Sequence, residues 1–326
     1  MRRMLLSALA AALPLLASAS VRAQTAPAFP DRPIRMVVPY APGGAADTSA
    51  RLLIGPMGEF LGQTITIENR TGGGGTIGAA AVAQARADGY TLLGDASAHT
   101  VNHALVRNLP FDYARDFAPV SRLASFPLIF LVSSGEAAPD LAAYMAAARA
   151  RSGRIAYSSA GVGSAAHLAG FLFAQRAGIE ATHVAYRGGS QGAQALASGD
   201  TQYMLASTPA AIGLVQAGRL RVLAVAGATR LAAHPNTPTL AEAAPPGFDF
   251  AEWTGLWAPA GTPEPVLDRL AAAVAHAMAR PEVQARFTEL GVDAGSYLAR
   301  ADFARYVAEQ RALMTRLTTE AGIRPE

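Results

Sequence analysis

The 326-residue chain contains no cysteine and no lysine, and each absence narrows what the protein can be. Without cysteine there is neither a disulfide framework nor thiol chemistry. All 27 basic residues are arginine, and they are scattered, unlike the clustered positive charge of a nucleic-acid-binding surface. Hydrophobic residues make up 51% of the chain, which excludes a disordered protein and suits two domains of ordinary size.

The first 23 residues have the three parts of a secretory signal peptide. Arg2 and Arg3 form a positive segment, Met4–Leu16 is apolar, and Val21-Arg-Ala23 supplies small residues before Gln24. The apolar segment is shorter than a helix that spans a bilayer, and no later segment resembles one. The sequence therefore predicts export with cleavage near Ala23.

Strand-like and helix-like segments alternate in two series, over residues 34–93 and 128–226. This alternation predicts an α/β fold in which helices flank parallel sheets. Two extended segments, Ala118–Val132 and Phe248–Ala258, are predicted to cross between the two units and to form a hinge. We therefore assign residues 1–23 to the signal peptide, residues 24–125 and 253–326 to lobe 1, and residues 126–252 to lobe 2.

Two strand-to-helix corners are rich in glycine and serine, at Pro39–Asp47 and Tyr157–Ser164. The first amides of a helix lack internal partners, and the helix dipole is positive there, so such corners attract anions. Glycine lets a ligand approach the backbone, and serine hydroxyls donate or accept hydrogen bonds. We predict that the two corners grip a small carboxylate across a cleft. The alternative is that Pro-Gly-Gly at 42–44 is only a turn.

Nine segments, in order along the chain, resemble one known family. They are Pro33–Asp47, Glu68–Gly75, Asp88–Leu93, Phe117–Val120, His167–Ala169, His183–Gly188, Leu220–Val225, Thr237–Ala243 and Trp253–Pro263. Together they resemble the Bug family, the periplasmic substrate-binding receptors of tripartite tricarboxylate transporters. The resemblance implies a two-lobed periplasmic binding protein of the type II, Venus-flytrap kind, with two hinge crossovers.

The resemblance also implies what such a protein does. It would be a monomeric receptor in the periplasm, without a cofactor and without enzymatic activity. It would capture a di- or tricarboxylate, an acidic amino acid or an aromatic acid for membrane permease subunits. Departures from the family pattern at Gly73, His103 and Ala185 border the expected cleft, so no particular substrate carries over.

In the family the ligand carboxylate is held mainly by backbone N–H groups of the two corners. Carried onto this chain, the resemblance implicates Tyr40, Ala41, Pro42, Gly43, Gly44, Asp47, Ser158, Ser159, Gly161, Gly163 and Ser164. We add Ser97 and His99 after the third strand, His167 in the second lobe, and Ser207 in the loop at 206–209. Two roles stay open: Asp47 either selects an ammonium group or caps a helix, and His167 either faces the ligand or satisfies local hydrogen bonds.

Three other interpretations are weighed against this one. His99 and His103 have helical spacing, but no third ligand accompanies them, so we expect no metal site. Gly188-Gly-Ser-Gln-Gly192 matches the elbow of a serine esterase, with Ser190 as nucleophile and Asp249 or Asp268 and then His276 downstream. Since Arg187 precedes that elbow and His276 lies on an amphipathic helix, the esterase is disfavoured. A third candidate is a receptor that presents its closed form to a sensor kinase.

Overall fold

The computed structural model describes residues 29–227, 229–231, 235–243, 250–292, 296–320 and 323. The signal peptide predicted at 1–23 lies outside these ranges. Within them, none of the helices has the length and apolar character that crossing a membrane requires.

The described strands and helices follow the predicted alternation. The strands are β1 Ile34–Val38, β2 Ile65–Asn69, β3 Thr91–Ala96, β4 Phe117–Ser133, β5 Ile155–Ser159, β6 Ala181–Ala185, β7 Tyr203–Ser207, β8 Leu220–Val225 and β9 Ala251–Pro259. The helices are α1 Ala45–Leu61, α2 Thr76–Ala83, α3 Asn102–Leu105, α4 Leu141–Ala150, α5 Ala165–Ala177, α6 Gly189–Ser198, α7 Thr208–Gln216, α8 Leu240–Ala243, α9 Glu264–Met278, α10 Pro281–Glu289 and α11 Arg300–Glu320.

The strands form one mixed sheet in the order β2-β1-β3-β9-β4-β7-β5-β6, with β8 paired to β4. The predicted parallel pairing is found at both ends, where β1 pairs with β2 and β3, and β5 pairs with β6 and β7. The middle is antiparallel, because β4 and β9 run in opposite directions between the two ends. Each lobe is therefore a sheet flanked by helices.

Strand β4 carries the chain from one lobe to the other. Its first part pairs with β9, from Phe117 opposite Pro259 to Pro127 opposite Ala251. From Leu128 onward the same strand pairs with β7 and β8. Proline has no N–H to donate to a ladder, so Pro127 suits the point where the partner changes. Both predicted crossing segments are confirmed as strands that lie side by side.

Each lobe has its own core. In lobe 1, Leu53 and Met57 of α1 pack against Leu270 and Val274 of α9. In lobe 2, Phe130 lies at the centre of an aromatic core in which its ring stacks 5.4 Å from that of Tyr203. These two clusters lie in different lobes, and a smaller one joins Val101 and Leu105 of lobe 1 to Leu168 of lobe 2.

The pair Gly55-Pro56 predicts a kink or a split in the first helix. The split is wrong, since α1 continues from Ala45 to Leu61 with Pro56 inside it. Proline has no N–H, so the carbonyl of Leu52, four residues earlier, loses its helical donor; Leu52 is only partly buried.

Candidate functional site

A cavity of about 590 Å³ lies between the lobes, beyond the carboxyl ends of β1, β5 and β6. This volume lies in the range of small-molecule sites. The residues around it are Pro39, Tyr40, Thr71, Gly72, Gly73, Gly74, Gly75, Ile77, Val106, Ala160, Gly161, Val162, Ala185, Tyr186 and Arg187. Of the predicted site residues, Tyr40 and Gly161 line this cavity.

The glycine-rich loop Gly72–Gly75 forms much of one wall, and all four of its residues have positive φ, between 57° and 127°. A Cβ at Gly74 would overlap the carbonyl oxygen of Val162 in lobe 2. Only glycine fits there, since other residues would strain the backbone as well as clash. The predicted site does not include this loop, although a run of four glycines after a strand was available as the signal for a wall of the cavity.

The first corner contacts lobe 2 directly. The Ala41 N–H donates to the carbonyl of Arg187 over 3.0 Å, and the Ser190 hydroxyl donates to the carbonyl of Pro42 over 2.8 Å. The lobes are therefore closed on each other. The Ala41 amide, predicted to hold a carboxylate, is occupied by protein in this closed form.

Asp47 lies in the first turn of α1, whose N-cap is Gly44. Its carboxylate accepts from the Gly43 N–H (2.9 Å), from Arg51 Nε (2.8 Å) and from Asn69 Nδ2 (2.9 Å). Burial raises the pKa of the Asp47 carboxyl, but the hydrogen bonds from Arg51, Gly43 and Asn69 outweigh burial and hold that pKa below its usual value. Asp47 therefore stabilises the first corner through these bonds, a role closer to helix capping than to selecting an ammonium group.

The serines of the second corner direct their hydroxyls into the protein. Ser158 Oγ donates to the carbonyl of Gly192 over 3.0 Å. Ser159 and Ser164 both donate to the carbonyl of Gly161, over 3.1 and 2.7 Å, and Ser164 also caps α5. These hydroxyls shape the loop that carries Gly161 to the cavity.

Two histidines lie behind the second corner. His167 Nδ1 accepts from the Gly163 N–H over 3.2 Å, and His183 Nε2 lies 2.7 Å from Ser159 Oγ. Burial, reinforced by His183, lowers the pKa of His167 to about 3, and burial lowers the pKa of His183 to about 4. Both rings are therefore neutral near pH 7, as the acceptor role of His167 requires.

His99 is in the core of lobe 1 rather than on the cavity wall. It is 1% exposed, stacks on Trp257 with ring centroids 4.1 Å apart, and places Nδ1 3.1 Å from Asp95 Oδ2. The other oxygen of Asp95 accepts the Tyr40 hydroxyl over 3.0 Å. Burial lowers the pKa of His99, although Asp95 opposes this. His99 and Asp95 therefore support Tyr40 from behind.

The remaining predicted residues do not line the cavity. Ser97 lies beside Gly163 in a separate, much smaller space, and Ser207 is buried at the N-cap of α7. Their contact with a ligand, like that of the other corner residues, stays a prediction.

The residues of the metal and esterase interpretations contact other partners in the structure. His103 Nε2 lies 2.9 Å from the Thr315 hydroxyl, and within the described ranges no three His, Asp or Glu side chains are placed to share a metal ion. His276 packs on Phe60, Asp268 pairs with Arg300, and Asp249 lies outside the described residues. Ser190 instead serves the contact between the lobes.

Comparison with known proteins agrees with this geometry. Residues 49–323 match the model of the tripartite tricarboxylate transporter family receptor, TctC. A Pseudomonas sp. protein from the tcbD-tcbE intergenic region is 39% identical over 292 residues, 89% of this chain and 86% of that protein. BugT of Bordetella pertussis is 35% identical over 240 residues, 73% of this chain and 74% of that protein.

Solved structures match the fold as a whole. Rpa4515 of R. palustris with adipate has a TM-score of 0.87 and 32% identity, covering 91% of this chain and all of that one. MatC of Rhodopseudomonas palustris with bound malate has a TM-score of 0.84 and 33% identity, covering 89% of this chain and 99% of that one.

Proposed function

We propose, from the premise that this chain belongs to the tripartite tricarboxylate transporter receptor family, that it captures a small carboxylate in the periplasm and delivers it to membrane permease subunits. The family and the fold are those of periplasmic substrate-binding proteins rather than of enzymes. The observation that carries the proposal is the cavity between the lobes, with Arg187 of lobe 2 opposite the first corner and the glycine loop of lobe 1.

Arg187 supplies the positive charge for the ligand. It is exposed, follows the carboxyl end of β6, and borders the cavity next to Tyr186. A guanidinium binds a carboxylate with two parallel hydrogen bonds, which are stronger than bonds between neutral groups. The glycine loop lets the ligand approach the backbone from the other side.

Capture works through closure of the lobes. In our proposal, residues 24–125 and 253–326 move against residues 126–252 about the paired strands β4 and β9. A carboxylate that touches both walls stabilises the closed form because it makes contacts that the open form lacks. The bonds from Ala41 to Arg187 and from Ser190 to Pro42 then hold the same closed form.

Two solved relatives hold adipate and malate, which supports a carboxylate as the ligand class. The test is isothermal titration and thermal shift with mono-, di- and tricarboxylates, acidic amino acids and aromatic acids. The matched controls are the corresponding amides, which keep the shape without the charge. Binding of a carboxylate but not of its amide supports the proposal, and equal binding of both, or of neither, contradicts it.

Delivery is tested separately from binding. A strain that lacks this gene should lose uptake of the labelled ligand and regain it when the gene is restored. Retained uptake with a lost transcriptional response to the ligand would contradict delivery to a permease and favour a sensor kinase as partner.

A further inference from the structure

We propose that Asn102, which does not line the cavity, is a positioning residue for ligand capture. It fixes the glycine loop Gly72–Gly75 in the form that meets lobe 2 when the lobes close. This inference rests on the proposed function and adds a residue that acts on the same site. The bonds of the Asn102 amide, the nature of the loop that it holds and its contact with lobe 2 carry the inference.

The Asn102 side chain connects the glycine loop to the core of lobe 1. It is fully buried at the first residue of α3. Its Nδ2 donates to the carbonyl of Gly74 over 3.0 Å and to the hydroxyl of Tyr113 over 3.2 Å. A carbonyl oxygen can only accept, so Gly74 decides which end of the amide faces the loop. Tyr113 is 1% exposed and packs its ring 4.7 Å from that of His99, which makes it a fixed point for this connection.

The glycine loop depends on such an anchor because it has no side chains of its own to pack. Glycine loses more conformational freedom on folding than any other residue, so backbone contacts must hold a run of four in one form. A local bond joins the Gly75 N–H to the Gly72 carbonyl over 3.1 Å. The bond from Asn102 adds a connection to the body of lobe 1 at Gly74, a residue of the loop that abuts lobe 2.

Asn102 itself also meets lobe 2. A Cβ on Gly163 would overlap Asn102 Oδ1, just as a Cβ on Gly74 would overlap the carbonyl of Val162. Asn102 Oδ1 is buried and accepts no hydrogen bond from the residues that the structure describes, so it contributes shape to this contact rather than a bond. When the lobes close, the backbone at Val162 and Gly163 therefore meets a surface made by Gly74 and Asn102 together.

This arrangement links Asn102 to affinity although Asn102 does not touch the ligand. A wall that is fixed before the ligand arrives lowers the cost of binding, because less freedom is lost in the complex. Without Asn102 the loop would occupy several forms, and the apparent affinity would fall with the fraction of molecules in the competent form.

The first test needs no ligand. Amide hydrogen exchange over residues 72–78 should be about threefold to tenfold faster in Asn102→Ala than in the original protein, since one anchoring bond is lost. The matched control is Thr262→Val, which removes a buried bond from a side chain to the carbonyl of Pro259 elsewhere in lobe 1 and should leave exchange in the loop unchanged.

A second variant covers the case in which Asn102→Ala does not fold. Tyr113→Phe keeps the ring and removes the hydroxyl that accepts from Asn102, so it should speed exchange in the loop by a smaller factor, about twofold. A folded variant of either kind in which the loop exchanges as in the original protein would overturn the inference.

Titration calorimetry then connects the loop to capture. Adipate and malate are the first probes, and the tightest-binding member of the carboxylate panel replaces them if neither binds. Asn102→Ala should raise the Kd about threefold to tenfold, whereas Thr262→Val should not change it. Faster exchange with an unchanged Kd would overturn the role in capture and leave the proposed function standing. An original protein that binds no carboxylate would contradict the proposed function and this role together.

A double-mutant cycle tests the contact with lobe 2. Gly163→Ala should weaken binding about tenfold in the original protein, because the new Cβ overlaps Asn102 Oδ1. In the Asn102→Ala background, where that oxygen is absent, Gly163→Ala should weaken binding about twofold or less. Losses that simply add would contradict a contact between Asn102 and Gly163 in the closed form.

Discussion

The imidazole of His167 stacks on that of His183, with ring centroids 4.0 Å apart and ring planes at 22°. The pair holds the second corner in place, since His167 accepts the Gly163 N–H and His183 contacts the Ser159 hydroxyl. Two neutral rings can stack at this distance in a buried site, whereas two charged rings would repel each other. The geometry of the second corner therefore depends on both imidazoles staying neutral.

We expect the free energy of unfolding to decrease as the pH falls from about 6.5 to about 4. In the unfolded chain an imidazole binds its proton near pH 6.5, whereas in the folded protein the pKa values are about 3 for His167 and about 4 for His183. The unfolded state thus binds more protons in this window, and stability falls by up to about 1.4 kcal/mol per pH unit for each ring. Urea unfolding across this pH range measures the slope.

The matched variants are His167→Asn and His183→Gln, which keep a polar atom near each ring nitrogen. The double variant should lose the part of the slope between about pH 6.5 and 4 that these two rings supply, while the buried His99, whose pKa is also lowered, keeps its own contribution. His276→Gln, which removes a ring that packs on Phe60 in lobe 1, controls for the loss of a histidine. A double variant with the original slope would show that the pair is not the cause.

Asp47→Asn should lower the free energy of unfolding by about 1–2 kcal/mol at neutral pH, because it removes the charge from a buried acceptor of Arg51 and Gly43. The folded pKa of Asp47 is lowered, so its stabilisation is present above the unfolded pKa and is lost as the pH falls through the folded one. The control is Asp302→Asn on the exposed face of α11, which should change stability by less than about 0.5 kcal/mol. Equal losses in urea unfolding would contradict the bracing role.

Gly163→Ala should impair closure of the lobes. The new Cβ would overlap Asn102 Oδ1 of lobe 1. Gly178→Ala is the matched control, because both glycines have positive φ (77° and 66°) but Gly178 faces open space. Both variants carry a backbone strain of about 1–2 kcal/mol, while only Gly163→Ala should weaken ligand binding, by about tenfold or more. Equal affinities in titration calorimetry would argue against a contact that matters for closure.

Ser190→Ala should weaken ligand binding about threefold to tenfold, because it removes the hydrogen bond of about 0.5–1.5 kcal/mol that holds Pro42 in the closed form. Ser198→Ala, at the exposed end of the same helix, should bind as the original protein does. Small-angle scattering should show more of the open form for Ser190→Ala alone. Ester hydrolysis that depends on Ser190 would instead support the esterase.

Much of the fold was predictable because its signals are local. The crossing segments Ala118–Val132 and Phe248–Ala258 are found as Phe117–Ser133 and Ala251–Pro259. Apolar runs bounded by turn residues predict such strands from a few neighbours. The direction of β4 and β9 was not predictable in this way, since it depends on how the chain returns between the lobes.

The site was predictable only in outline. The corners follow β1 and β5 as expected, yet the groups that remain free there depend on partners far along the chain. The Ser190 hydroxyl donates to the carbonyl of Pro42, 148 positions away in the chain, and the carbonyl of Arg187 accepts from the Ala41 N–H. Spacing along the sequence carries no information about such pairs.

The amino-acid sequence by itself determined the absence of thiol chemistry, the alternation of strands and helices, and the family. These depend on composition and on residues a few positions apart. Only the tertiary structure decided that Gly72–Gly75 and Arg187 enclose the cavity, that Asp47 and His99 serve as internal supports, and that the serines turn inward. The reason is that a buried polar group needs a hydrogen-bond partner. In this protein the partners come from residues far apart in the sequence, which meet only when each lobe folds and the two lobes pack together.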